Sequence, residues 1–178
     1  QFGLIYHPLF EAVARSISGV RQLNLLITFA LAWILADAVL RSASAMTLSC
    51  GPRVTAAAAL ATSSLSYLHI WLPTPSYNWL ILQSLMLAGI GLLMAGKALD
   101  ARSIRGWILL GIGGWLAFMA KPTSAAGLAL CAVLYLIGAG KFALRPLILS
   151  GVVAFVLLLG SAWAIDGSVM AFVRRYQT

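Results

Sequence analysis

Acidic residues are nearly missing from this chain: four Asp and Glu stand against twelve Lys and Arg in 178 residues, and both signs together make up only 9%. A water-facing surface on a domain of this size needs about a quarter of its residues charged. The shortage excludes an ordinary soluble fold. Cysteine is scarce too. Cys50 stands among basic residues and Cys131 inside an apolar run, so no disulfide framework is available and both are expected as free thiols. His7 and His69 lie far from each other and from the cysteines, which gives no metal-ligand spacing and implies no cofactor. The basic residues are scattered over the breaks between apolar runs. There they act as a topology signal and argue against nucleic acid as a partner. A basic, apolar, small-residue leader is also absent and the sequence begins at Gln1, so the chain is expected to be a piece of a longer protein.

What is present is apolar sequence: 62% of residues are hydrophobic and the mean hydropathy is +0.98. The expected architecture is an all-α, polytopic membrane helix bundle. Six spans are read at residues 22–40, 54–72, 77–96, 104–120, 123–140 and 146–165. At 1.5 Å per residue each covers roughly 26 to 30 Å, enough for the hydrocarbon core. Residues 1–21, with His7, Glu11, Arg15 and Arg21, are less uniformly apolar and form either a helix lying at the interface or the remnant of an earlier span. Residues 166–178 begin a further segment on the same side.

The breaks holding Arg41 and Arg53, then Lys97, Arg102 and Arg105, then Lys141 and Arg145 collect the positive charge, whereas "PTPSYN" has none and the break at 121 has only Lys121. The first three are therefore cytoplasmic, and the N-terminal segment, "LPTPSYN", "KPTS" and the tail extracytoplasmic. Short outer breaks predict two tight hairpins, 54–72 with 77–96 and 104–120 with 123–140. Gly89, Gly91, Gly111, Gly113, Gly114 and Gly127 would allow close helix approach.

Lys121 interrupts "GWLAFMAKPTSAAGLAL", and Pro122 behind it ends one helical run and opens the next. Such a lysine either snorkels to the interface or holds an anion beside the unpaired N–H groups of the helix starting at Pro122 and Thr123. A lipid phosphate is the natural ligand at that depth. The "YLHIWLPTPSYNWL" turn would bring His69, Trp71, Tyr77, Asn78 and Trp79 to the same level. The tryptophans there read as an interfacial belt, and His69 as an interfacial hydrogen-bonding residue. Tyr77 and Asn78 could bond a sugar or head group. Asp37 precedes Arg41 by four residues and is read as an ion-pair partner, with a proton relay as the other option. Asp100 beside Arg102 is read as solvated. The phosphate-loop spacing of "GLLMAGKA", residues 91–98, lacks both its terminal Ser or Thr and a preceding strand, so it is not a nucleotide site.

Four segments, in order, carry a family resemblance. "YHPLF" looks like an "HPPLY" segment on an outer interfacial helix, and "GVRQLNLL" is similar to a "slRllsal" helix start. "TAAAALATSSLSYLHIWLPTPSYNWLIL" matches an alanine-rich helix followed by a short outer turn, and "GIGGWLAFMAKPTSAAGLAL" looks like "GlllGLallTKgpaall". This series resembles the polytopic GT-C glycosyltransferases, in particular the bacterial families related to protein mannosyltransferase and aminoarabinose transferase. The resemblance covers most of residues 5–140. It implies transfer of a sugar from a polyprenyl-phosphate donor to a lipid or other acceptor at the outer face of a bacterial inner membrane. It also implies Lys121 and Arg21 at the donor phosphate, with His7, His69, Tyr77 and Asn78 in the cavity. Two departures accompany it. The catalytic acid of the family lies upstream of the "HPPL" segment, before the first residue of this chain. Tyr77 and Asn78 stand where many members have an Asp, and neither is a base near neutral pH. Glu11 is the nearest substitute and is assigned no role.

From a different class comes the rival reading, a non-catalytic accessory or scaffold subunit of a larger membrane complex, since Gly- and Ala-rich faces also suit contacts with other membrane chains. A transporter is third, because the spans hold no paired intramembrane charges and the sequence no inverted repeat.

Overall fold

Ser16 divides what the sequence presents as one N-terminal segment. In the computed structural model, which describes residues 2–43, 49–69, 74–168, 170 and 172, helix α1 spans Phe2–Ala12 and helix α2 spans Ile17–Ser42. Between them Ala14 and Arg15 adopt left-handed backbone, with φ of 53° and 60°. The Arg15 N–H donates to the Phe10 carbonyl at 2.9 Å, which closes α1 as a left-handed C-terminal cap does. Ser16 then opens α2 by accepting the Gly19 N–H at 3.1 Å. Arg21, expected in the interfacial segment, therefore belongs to the first turns of α2.

The remaining helices are α3 (Cys50–Thr62), continued by a 3-10 segment (Ser63–His69), α4 (Tyr77–Met94), α5 (Ala101–Ala120), α6 (Pro122–Gly138) and α7 (Leu144–Asp166). No strand occurs among the described residues. Four of these helices, α2, α4, α5 and α7, are long and apolar enough to cross a membrane. Helix α6, at 17 residues, and α3, at 13, are shorter. The six expected spans overlap α2, α3 with its 3-10 segment, α4, α5, α6 and α7, but length and apolarity support crossing for four of them; residues 70–72 of the expected span 54–72 lie outside the described residues.

Helix α5 is the centre, touching α4, α6 and α7, while α2 lies between α3 and α4. The expected hairpin of 104–120 with 123–140 is present as α5 against α6. The other, 54–72 with 77–96, is not a major pair: α3 packs on α2, and α4 packs chiefly on α5. Small residues explain that choice. A Cβ on Gly106 would lie 2.6 Å from the Ala95 nitrogen, and one on Gly91 2.7 Å from the Gly106 oxygen. The two backbones meet there with no room for a side chain. Gly111 plays the same part toward α7, with the Ser150 oxygen 2.5 Å from its virtual Cβ. Gly114 and Gly127 have nothing within 4 Å, so the expectation of close approach fails at those two.

Burial is inverted relative to a water-soluble protein. Asn24, Thr28, Gln83, Ser84, Ser103, Ser150 and Ser161 are buried, whereas Leu26, Leu130, Leu144 and Trp163 are more than 60% exposed. On α2 the buried residues Val20, Asn24, Thr28 and Ala32 follow one another at intervals of four, a narrow seam rather than a broad apolar stripe. Such surfaces are stable when hydrocarbon surrounds them, because lipid supplies the apolar contact that water cannot. The chain has the character of an integral membrane protein.

Candidate functional site at the α1 end

Helix α1 is held to the bundle by Tyr6. Its ring, 6% exposed, packs with Leu80 of α4 and Met119 of α5. Leu9 on α1, Trp115 and Ala120 on α5, and Leu158 and Ile165 on α7 surround that contact. The first turn of α4 and the last turns of α5 and α7 therefore share one end of the bundle, with α1 laid across it.

Beneath α1 the phenol meets a buried polar network. Tyr6 Oη lies 3.4 Å from Asn24 Oδ1 and 3.3 Å from Gln83 Oε1, so one phenolic proton faces two acceptors. Gln83 Nε2 donates to Asn24 Oδ1 at 2.9 Å and to Thr28 Oγ1 at 3.0 Å. The Thr28 hydroxyl in turn donates to the Asn24 carbonyl at 2.8 Å. Neutral groups supply one another's partners here, as burial demands. Burial also pushes the Tyr6 phenol well above the ordinary tyrosine pKa.

Two clefts flank α1, and His7 lines both. One of about 410 Å³ lies against the end of α7, where Ala164 and Ile165 form its wall. The other, of about 320 Å³, lies against the start of α2 and is closed by Ile17, Val20, Thr74 and Pro75. Both volumes fall at the small end of ligand-sized sites. His7 is exposed and 3.9 Å from Glu11 Oε1, while Glu11 also pairs with Arg15 at 3.1 Å. Arg21 Nε donates to Thr74 Oγ1 at 3.0 Å, which ties α2 to the segment leading into α4.

The other sequence candidates reach this end without joining one pocket. Lys121 has extended backbone, closes α5 and precedes Pro122, the first residue of α6. Its side chain is exposed and makes no ion pair or side-chain hydrogen bond among the described residues. It lies next to Ala120, which packs in the Tyr6 cluster, but lines neither cleft. Tyr77 is 46% exposed at the start of α4, and Asn78 is half-buried; neither lines these clefts. Trp79, expected in an interfacial belt, is instead 1% exposed. Its position two residues into α4 turns it toward the other helices. The side chain of His69 and all of Trp71 lie outside the described residues.

At the opposite end, the expected Asp37–Arg41 pair is present at 2.7 Å, and Arg53 of α3 joins it at 2.8 Å. Asp100 is not merely solvated: it caps α5 by accepting the Ser103 N–H at 2.7 Å. The loop after the "GLLMAG" helix serves packing. Gly96 N–H donates to Ser103 Oγ at 2.9 Å, and its carbonyl accepts from Ser103 Oγ and Trp107 Nε1. Lys141 Nζ reaches the Leu92 and Leu93 carbonyls, each at 3.2 Å. A cation thus satisfies two orphan acceptors at the C-terminus of α4.

Sequence reasoning passed over Tyr6, Asn24, Thr28 and Gln83. Their signal was available: two polar residues four apart in one apolar run and a lone amide inside another must turn inward. Asp166 was also passed over. It ends α7 directly after Ala164 and Ile165 of the cleft wall, which makes it, with Glu11, one of the two acids at this end. Compared with known proteins, the chain matches no protein-family model, no curated protein and no solved structure.

Proposed function

We propose that this chain is the membrane-embedded part of a GT-C-like transferase that moves a sugar from a polyprenyl-phosphate donor at the end covered by α1. The observation that supports this most directly is the placement of α1. The helix bearing "YHPLF" lies across the end of the bundle that holds the Arg21–Thr74 hydrogen bond and, separately, the Lys121–Pro122 junction. In this reading α3 with its 3-10 segment, residues 50–69, and α6 are the fifth and sixth spans. At helical rises they reach roughly 33 and 26 Å, close to the hydrocarbon thickness.

The acceptor hydroxyl attacks the anomeric carbon, the bond from that carbon to the phosphate oxygen breaks, and the lipid phosphate leaves. Lys121, with the open N–H groups at the start of α6, stabilises the charge on the departing phosphate, and Arg21 approaches it from α2. The base implied by the resemblance lies upstream of "YHPLF", and no residue of this chain is assigned that role. Binding of a photoactivatable polyprenyl phosphate by the purified protein tests the reading. Lys121→Ala should reduce specific labelling about tenfold, the scale of one charge-assisted hydrogen bond, with an unchanged unfolding temperature. Equal labelling of wild type, Lys121→Ala and Arg21→Ala would exclude the donor site.

The accessory-subunit reading draws on one feature, an open groove of about 350 Å³ between α5, α6 and α7 walled by Gly111, Gly114, Ala129 and Gly151. It predicts that Lys121→Ala leaves lipid content unchanged.

A further inference from the structure

The basic end holds a cleft of its own, of about 430 Å³, between the end of α2, the end of α4 and the start of α5. Its wall is mostly apolar, formed by Ile34, Ala38, Ile90 and Met94; Asp37 also lines it, and its rim carries Arg41 and Arg102. We propose that this cleft binds one anionic glycerophospholipid, with the phosphate between Arg41 and Arg102 and an acyl chain along the apolar wall.

Charge is the first argument. Asp37 is already engaged by Arg41 and Arg53, and Asp100 by the first turn of α5. Arg102 is exposed and makes no ion pair among the described residues. Burial first, and then the charge of Arg102, hold the Lys141 ammonium below the ordinary lysine pKa. Two cations, Arg41 and Arg102, thus line the cleft beside one carboxylate, Asp37, that Arg53 also engages, and an anion offsets the excess positive charge. Helix polarity is the second argument. Arg102 sits in the first turn of α5, where the helix dipole disfavours a cation unless an anion accompanies it. Depth is the third. Arg41 lies in the last turn of α2 and Arg102 in the first turn of α5, both candidate spans, so the rim stands at the level of lipid phosphates and the apolar wall at the level of acyl chains. A soluble anion would use only the rim; the apolar wall favours a lipid. The site lies at the opposite end from Lys121 and does not rest on the sugar-transfer reading.

The test is native mass spectrometry of the purified chain in neutral detergent, titrated with phosphatidylglycerol or phosphatidylcholine. The wild type should retain one phosphatidylglycerol in preference to phosphatidylcholine. Arg102→Gln should weaken that retention about fivefold, the worth of one basic residue near a phosphate surface, and Arg102→Lys should restore most of it. Arg105→Gln, one turn away and outside the cleft lining, should have no effect. Ala38→Leu should also weaken retention, by filling the cleft without changing charge. Equal binding of the two lipids, equal loss from Arg105→Gln and Arg102→Gln, or full retention in Ala38→Leu would each overturn the proposal. So would displacement of the lipid by an equal concentration of glycerol phosphate, which would assign the rim to a free anion.

Discussion

At the basic end of the bundle an ion cluster joins α2 to α3, whereas beneath α1 the buried side chains that join α2 to α4 are neutral. Asp37, Arg41 and Arg53 meet at 2.7 and 2.8 Å with side chains 20% to 56% exposed, whereas Asn24 and Thr28 are at most 1% exposed and Gln83 6%. Backbone packing differs in parallel. Near the ions, Gly91 and Gly106 let α4 and α5 touch backbone to backbone. Near α1 the same two helices contribute Leu80, Trp115 and Met119, and the large side chains are bridged by Tyr6. Where water reaches the helix ends, charges stay solvated enough to be retained. Where helices and α1 exclude water, only groups that satisfy one another without net charge are tolerable.

The largest effect expected from this contrast is at Gly106. Leucine there would force its side chain against the Ala95 nitrogen and the Met94 carbonyl carbon, which cannot rotate away. Gly106→Leu should cost about 3 kcal/mol of stability, read as a lowered unfolding midpoint in detergent. Gly114→Leu, with nothing within 4 Å of its virtual Cβ, should be nearly neutral. Equal effects at the two positions would remove backbone contact as the feature that distinguishes the basic end.

Asp37→Asn should follow, at about 2 kcal/mol near 0.05 M salt, because it leaves Arg41 and Arg53 side by side without their shared carboxylate. Raising salt to about 1 M shortens the screening length to about 3 Å, so the gap between variant and wild type should narrow. A gap independent of salt would mean that the three residues act through shape rather than charge.

How much of this was legible in advance depends on the kind of signal. Helix positions followed from apolar runs, since six stretches of bilayer length separated by charged or proline-containing breaks leave few alternatives. The Asp37–Arg41 pair followed from spacing alone. Partner choice did not: a short break between residues 69 and 77 brings two helix ends near one another, but it does not decide whether the helix bodies pair. That was decided by Gly106, which stands beside Arg105 in a basic stretch and gave no hint of being an interface residue. The placement of Lys121 at the α1 end followed from alternation of the helices. Its separation from the His7 clefts did not, because it depends on where the exposed side chain stands around the rim.

The smallest effect is expected at Tyr6, and it is the one that separates the two ends by chemistry. Tyr6→Phe keeps the ring against Leu80 and Met119 and removes the long hydrogen bonds at 3.3 and 3.4 Å, so it should cost about 0.5 to 1 kcal/mol near neutral pH. The phenol is buried and its pKa is raised, whereas an unfolded tyrosine ionises near pH ~10. The stability contributed by this group is therefore fully present below about pH 10. It declines as pH rises through that value toward the folded pKa, because the unfolded chain then releases the proton first. The advantage of wild type over Tyr6→Phe should accordingly shrink above about pH 10 and stay unchanged when salt is raised at neutral pH, the reverse of the behaviour expected for Asp37→Asn. A salt-sensitive, pH-independent difference would mean that α1 is held by the Glu11 and Arg15 charges on its surface rather than by the phenol beneath it.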